Sequence, residues 1–180
     1  MRLAPIHAAR RAFTIVESVA VISILGAIGS VIAVMMFTAS RSYTDAAATA
    51  QLQAELSAAM ARATRELRYI PIDQTSAPVV PKINTVTASS ITWNTNSSLS
   101  LSSGQLQMVL SGGTPETLLK NVTSFSVSTF DESNAALGAS LSGSGCNPIR
   151  RIQLQMTISR DRATQTLRSR VFLRGLMDGS

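Results

Sequence analysis

FTIVESVAVISILGAIGSVIAVMMFTAS, Phe13 to Ser40, decides how the rest of the chain is read. From Ser18 to Ser40 it holds 23 residues without a charge. As a helix that run is about 34 Å long, enough to cross a hydrocarbon core of about 30 Å. The apolar region of a secretory signal is shorter, usually about 7–15 residues. Val19, Val21, Ile22 and Ile24 are β-branched and weaken a helix in water. In lipid a single crossing must nevertheless be helical, because each unpaired backbone group there costs several kcal/mol. Gly26 and Gly29 are tolerated in that setting and let neighbouring helices approach closely. Ahead of the run stand Arg2, Arg10 and Arg11 with no acid among them, which predicts an N-in, C-out orientation.

The carboxylate of Glu17 lies within this segment. An acid near the centre of a bilayer helix costs about 2.5–3.5 kcal/mol on insertion scales and less near the interface, so it calls for a partner. No Lys or Arg lies within a turn on the membrane side. A cut between Ala12 and Phe13 would create an α-amino group four residues from Glu17, able to pair within one helix or across staggered subunits.

Composition narrows the rest. The 180 residues and 19.1 kDa suit one modest domain with an appendage. With 45% hydrophobic and 14% charged residues and a mean hydropathy of +0.21, the chain is neither disordered nor a simple soluble enzyme. The net charge of +6 raises nucleic acid as a partner, but three of the basic residues sit in the first twelve and the remainder is only mildly basic. Cys146 is the single cysteine, so no internal disulfide and no cysteine-based metal cluster form. The single histidine, His7, lies in the basic leader and leaves no imidazole downstream for a triad or a zinc site. No catalytic residue, metal or cofactor is therefore expected, and the chain is read as no enzyme.

From Arg41 to Tyr69 there is no Pro or Gly, and Leu52, Leu56, Ala59, Ala63, Leu67 and Ile70 fall at spacings of three and four. These make one apolar stripe on a helix that Pro71 ends. Beyond it the period becomes two. Ile91 to Trp93 is a short strand, and Leu106, Met108 and Leu110 form a second after a turn at Ser103-Gly104. Val122 to Phe130 forms a third, with Phe125 and Val127 on one face. Residues 131–148 are small and polar, an excursion loop. Ile152, Leu154, Met156 and Ile158 alternate strictly, and a turn leads to Leu167, Ser169, Val171 and Leu173 with Arg168, Arg170 and Arg174 on the other side. The expected sheet is one antiparallel meander, greasy on the side that the helix stripe covers.

The stretch Phe13-Thr14-Ile15-Val16-Glu17 after Arg10-Arg11 resembles the type IV pilin-like family, whose leaders end before F-T-[LI]-x-E and an apolar helix. The resemblance implies recognition of Arg10, Arg11, Thr14 and Glu17 by a prepilin peptidase, cleavage between Ala12 and Phe13, and N-methylation of Phe13. It also implies that the α-amino group of Phe13 pairs with Glu17 during assembly. The family usually has Gly where Ala12 stands, and major pilins tend to carry a mid-helix Pro that is absent here. That absence, the Ser-rich β region and the ending RSRVFLRGL look most like a J-type minor pseudopilin of type II secretion or a PilW-like minor pilin.

The implied organisation is a basic leader (1–12), a transmembrane and assembly helix (13–40), an amphipathic helix (41–70) and an antiparallel β region (71–180). The implied fold is an α+β pilin-like ladle. Its implied place is the bacterial inner membrane as a single-pass protein with its globular part in the periplasm, later assembled into a filament. The implied partners are the prepilin peptidase, other major and minor pilins or pseudopilins, the inner-membrane assembly platform, and lipid before assembly. Nucleic acid is not among them: Arg168, Arg170 and Arg174 read as the solvated face of a strand. Arg10-Arg11-Ala12-Phe13 also fits the core of a twin-arginine export signal, with a cut near Ala39. A membrane-anchored or exported binding domain with no filament role is the alternative.

Overall fold

The apolar stripe and the apolar run belong to one helix. In the computed structural model, which describes residues 14–76, 78–160 and 163–173, α1 runs through Ile15–Arg68. Residues 1–12, expected to be a leader, and Phe13 lie outside the described residues. The helix ends two residues before the expected Ile70, in a tightened turn where Tyr69 and Ile70 donate to the carbonyls of Glu66 and Leu67. Pro71 follows, and proline lacks the N–H that a further helical turn requires.

Two compact units divide after Thr44. In the first, residues 19–44 are all solvent-exposed. Its hydroxyls are not left unpaired: Ser23, Ser30 and Thr38 donate back to the carbonyls of Val19, Ala27 and Val34 at 2.8–2.9 Å. A hydroxyl folded onto its own helix lowers the cost of an apolar surrounding. Among the described residues, α1 is the one helix long and apolar enough to cross a membrane, with a mean hydropathy of 2.5 over its most apolar window.

In the second unit, the stripe expected from spacing is buried: Leu52, Leu56, Ala59, Ala63, Leu67 and Ile70, joined by Met60. It packs against the strands of the second unit, numbered along the chain. They are β1 (Ile72–Asp73), β2 (Val80–Pro81), β3 (Ile83–Thr87), β4 (Ser90–Trp93), β5 (Ser97–Ser102), β6 (Gln105–Val109), β7 (Glu116–Leu119), β8 (Val122–Phe130), β9 (Leu141–Ser142), β10 (Arg151–Arg160) and β11 (Ala163–Phe172). The class is α+β: a long N-terminal helix packed on antiparallel sheets.

The sheet is not one meander. Strands β3 to β7 do run as a meander, extended at the far side by β9, in the order β7-β6-β5-β4-β3-β9. The chain then leaves that sheet. Strand β8 pairs with β10, and the hairpin β10–β11 completes a separate three-stranded sheet. A two-stranded ribbon of β1 and β2 stands apart. Inward residues of both larger sheets, among them Ile91, Leu99, Leu106, Leu154 and Met156, share one core with the helix stripe. Such a layered arrangement buries an apolar face of each element against another.

The expected strands at Ile91–Trp93 and Val122–Phe130 lie where the alternation put them. Strand β6 stops at Val109, and Leu110 is left partly exposed rather than inside the sheet. Ser103 and Gly104 form the two-residue turn between β5 and β6, both at positive φ (49° and 70°), as a tight hairpin of this hand demands. Residues 131–148 are more ordered than an excursion loop. They bridge Ala136 to Phe130, pair β9 with β3, and close a 3-10 turn over Gly143–Cys146.

Candidate functional site

The start of α1 is built locally. Thr14 stands just outside the helix, and its Oγ1 accepts from the backbone N–H of Glu17 at 3.3 Å. Its carbonyl accepts from the N–H of Ser18 at 3.1 Å and from the Ser18 hydroxyl at 3.3 Å. Helix N-termini leave four N–H groups without internal partners, and a Thr side chain satisfies one of them. Thr14 and Glu17 have the T-x-x-E spacing of a capping box. That spacing was legible in the sequence as a helix start and was overlooked there. Glu17 is exposed in the first turn, where the positive end of the helix dipole favours a carboxylate.

Of the residues singled out from sequence, Thr14 and Glu17 are thus brought together. Arg10, Arg11, Ala12 and Phe13 lie outside the described residues, and so does Arg174. The described ion pairs are Arg62–Glu116, Arg65–Glu66 and Arg160–Glu55, none of which involves Glu17. At the other end of the apolar segment Arg41 folds its guanidinium over the Phe37 ring, 4.2 Å from the centroid. Such a contact lets a cation border an apolar surface.

A second concave feature lies between α1 and β7, a groove of about 480 Å³. Of its charged residues, Glu55, Arg62 and Arg160 are held in ion pairs, and Lys120 also lines it. Arg62 on α1 holds Glu116 on β7 through both guanidinium nitrogens, and Arg160 on β10 holds Glu55 on α1 at 3.2 and 2.9 Å. The Arg160 hydrogen bonds, helped by one from Gln51, hold the Glu55 carboxyl below the ordinary glutamate range. Arg62 and Glu55 lie two turns apart on the same face of α1, so the two pairs tie the helix to both larger sheets.

The acid at Asp131 is a turn residue. Its Oδ1 accepts from the Ser133 hydroxyl and from the Ala135 N–H, each at 2.8 Å, which keeps its carboxyl below the usual range. Cys146 is not a surface thiol. It is fully buried, its Sγ lies 3.8 Å from the Asn84 carbonyl, and burial pushes its pKa up. Arg168 and Arg170 stand on the exposed face of β11, on the side the alternation assigned. Arg170 lies over Phe130, 4.4 Å from the centroid, and donates to Gln153 and Asn134 at 3.0 Å. The burial of Gln153 beneath it had no signal in the sequence.

Comparison with family models, with curated proteins and with solved structures finds no match to this chain.

Proposed function

We propose that this chain is a minor pilin or pseudopilin subunit. After cleavage between Ala12 and Phe13 it initiates or caps a type II secretion pseudopilus or a type IV pilus. The observation that carries this reading is a membrane-length apolar helix whose first turn, capped by Thr14, holds the exposed carboxylate of Glu17. A helix beginning at Ile15 favours a cut just upstream: the new amine is then four residues from Glu17 along the chain. In lipid that pair offsets part of the cost of the lone acid. In a fibre the same carboxylate, offered to the amine of an adjacent subunit, sets the stagger between rods.

The exposed surface of the apolar half supports the same role. Val19, Ile22, Leu25, Ile28 and Val34 are all more than half exposed, and the positions of Gly26 and Gly29 are open. Such a surface is covered by lipid before assembly and by the helices of other subunits afterwards, where small residues allow close approach. The unit beyond Thr44 carries its own buried core and supplies the face presented to neighbours. The function is structural, and the chain is the substrate of a peptidase.

Mass spectrometry of the native amino terminus tests this. A mature chain that begins at N-methyl-Phe13 is the expected result. A chain that keeps Met1, or begins near Ser40, overturns the proposal and leaves a membrane-anchored or exported binding domain.

A further inference from the structure

The three-stranded sheet has two outer edges, and among the described residues only one is closed. Along β8, the Val127 N–H donates to the Ala88 carbonyl at 3.0 Å and the Leu137 N–H donates to the Thr129 carbonyl at 2.9 Å. The Phe130–Ala136 bridge completes that closure. At the opposite edge β11 pairs with β10 alone, in an unbroken register from Arg151↔Phe172 to Arg160↔Ala163.

The direction of the free groups follows from one bond. The Leu173 N–H donates to the Arg150 carbonyl at 3.2 Å, so bonded pairs continue inward at Val171, Ser169, Leu167 and Gln165. The alternate residues Thr164, Thr166, Arg168, Arg170 and Phe172 turn their N–H and C=O groups the other way. Among the described residues no backbone group meets them. Natural edges are commonly blunted by Pro, by a bulge, by shortness or by charge; over its 10 residues β11 has none of the first three, and its charges are the two arginines Arg168 and Arg170.

Charge selects the occupant. Strands β8, β10 and β11 contain no Asp or Glu, while Arg151, Arg168 and Arg170 all lie on the outward face. Arg170 is held by Phe130, Gln153 and Asn134, and Arg151 lies over Phe172. Arg168 faces Gln155 across the ladder and, among the described residues, has no carboxylate partner. A second copy of β11 is a poor occupant, because antiparallel self-pairing sets arginines against arginines. We propose that the open edge of β11 takes up an extended segment of a partner protein by strand addition, with a carboxylate of that segment set against Arg168. Backbone bonds supply the attachment and the arginine supplies selection for acidic segments. This goes beyond the filament reading and holds whether or not the chain is cut after Ala12.

The test uses the full chain in detergent micelles and two end-blocked peptides of about 10 residues, one alternating Val and Glu, the other Val and Lys. Residue-resolved amide exchange of the free protein is expected to alternate: fast at 164, 166, 168 and 170, slow at 165, 167 and 169. The acidic peptide is expected to slow the fast set and to bind at least about tenfold more tightly than the basic one. Arg168→Glu is expected to reverse that preference. Thr166→Pro, which removes an outward N–H and the Thr166–Thr157 hydroxyl contact but no ladder N–H, is expected to abolish binding while the slow set stays slow. Outward amides already protected in the free protein, or protected only as its concentration rises, overturn the proposal. So do equal binding of the two peptides, protection elsewhere in the chain, or an Arg168→Glu variant that keeps the original preference.

Discussion

The side-chain oxygen of Thr14 accepts a hydrogen bond from the backbone of Glu17, so the residue that starts the helix also sets the position of the one acid in its apolar half. Thr14 has a local structural duty independent of any peptidase. Glu17 is held in the first turn, where the dipole favours its charge.

Thr14→Ala removes this cap and is expected to destabilise the helix start by about 1 kcal/mol, whereas Thr14→Ser retains it. Amide exchange at Glu17 and Ser18 in detergent reads the difference directly. Equal exchange in the two variants would mean that the hydroxyl does not hold the first turn.

Glu17→Ala should insert as the parent chain does, yet fail to enter filaments. Fractionation of sheared filaments against membranes measures this. Unchanged incorporation would remove the carboxylate as the element that sets stagger between subunits.

The Glu55–Arg160 pair predicts a pH dependence of known sign. Its hydrogen bonds depress the Glu55 pKa in the fold, so its stabilisation is complete above the ordinary glutamate value and fades as pH falls through the lower folded value. Both side chains are about one-third exposed, which limits the pair to about 0.5–1 kcal/mol. Glu55→Gln is therefore expected to melt lower than the parent at neutral pH and to converge with it as pH falls below the lowered folded pKa of Glu55. A gap that stays constant down to acid pH would locate the loss elsewhere.

Two leucines of α1 should respond oppositely to truncation. Leu56 is 2% exposed within the core, and Leu56→Ala is expected to cost about 2–5 kcal/mol in denaturation of the full chain in detergent. Leu25 is 62% exposed, and Leu25→Ala should leave that transition in place.

Cys146 should resist alkylation in the native chain at neutral pH and react fully once denatured. The thiol is buried and its pKa is raised, so the reactive thiolate is scarce and shielded. Maleimide labelling followed by mass spectrometry checks both states. Rapid native labelling would show that the Gly143–Cys146 turn opens.

Elements written in local periodicity were legible before any coordinates. The Leu52-to-Ile70 stripe is buried residue for residue, and Ile152, Leu154, Met156 and Ile158 point inward as their alternation requires. Less legible were the Ser-rich β5, with only Leu99 and Leu101 to mark its period, and the four-residue β7. Both depend on neighbours for their stability, as strands with weak alternation do. Gln153 is a surface residue by type, and Cys146, though cysteine is often buried, stands in a small polar stretch. Arg170 covers the one, and a 3-10 turn tucks the other beneath it.

By itself the sequence determined a membrane-length helix that turns amphipathic, a change to period two after Pro71, and an acid four residues beyond Phe13. Each depends on residues within a few positions of one another, where helix and strand geometry alone sorts the side chains. Tertiary structure decided that β8 leaves the meander to join β10, that Glu55 meets Arg160 from 105 positions away, and that one edge of the second sheet is closed while the other stands open. Strand partnership and long-range ion pairs are settled by which apolar faces fill a common core, a competition among distant segments that no local pattern records.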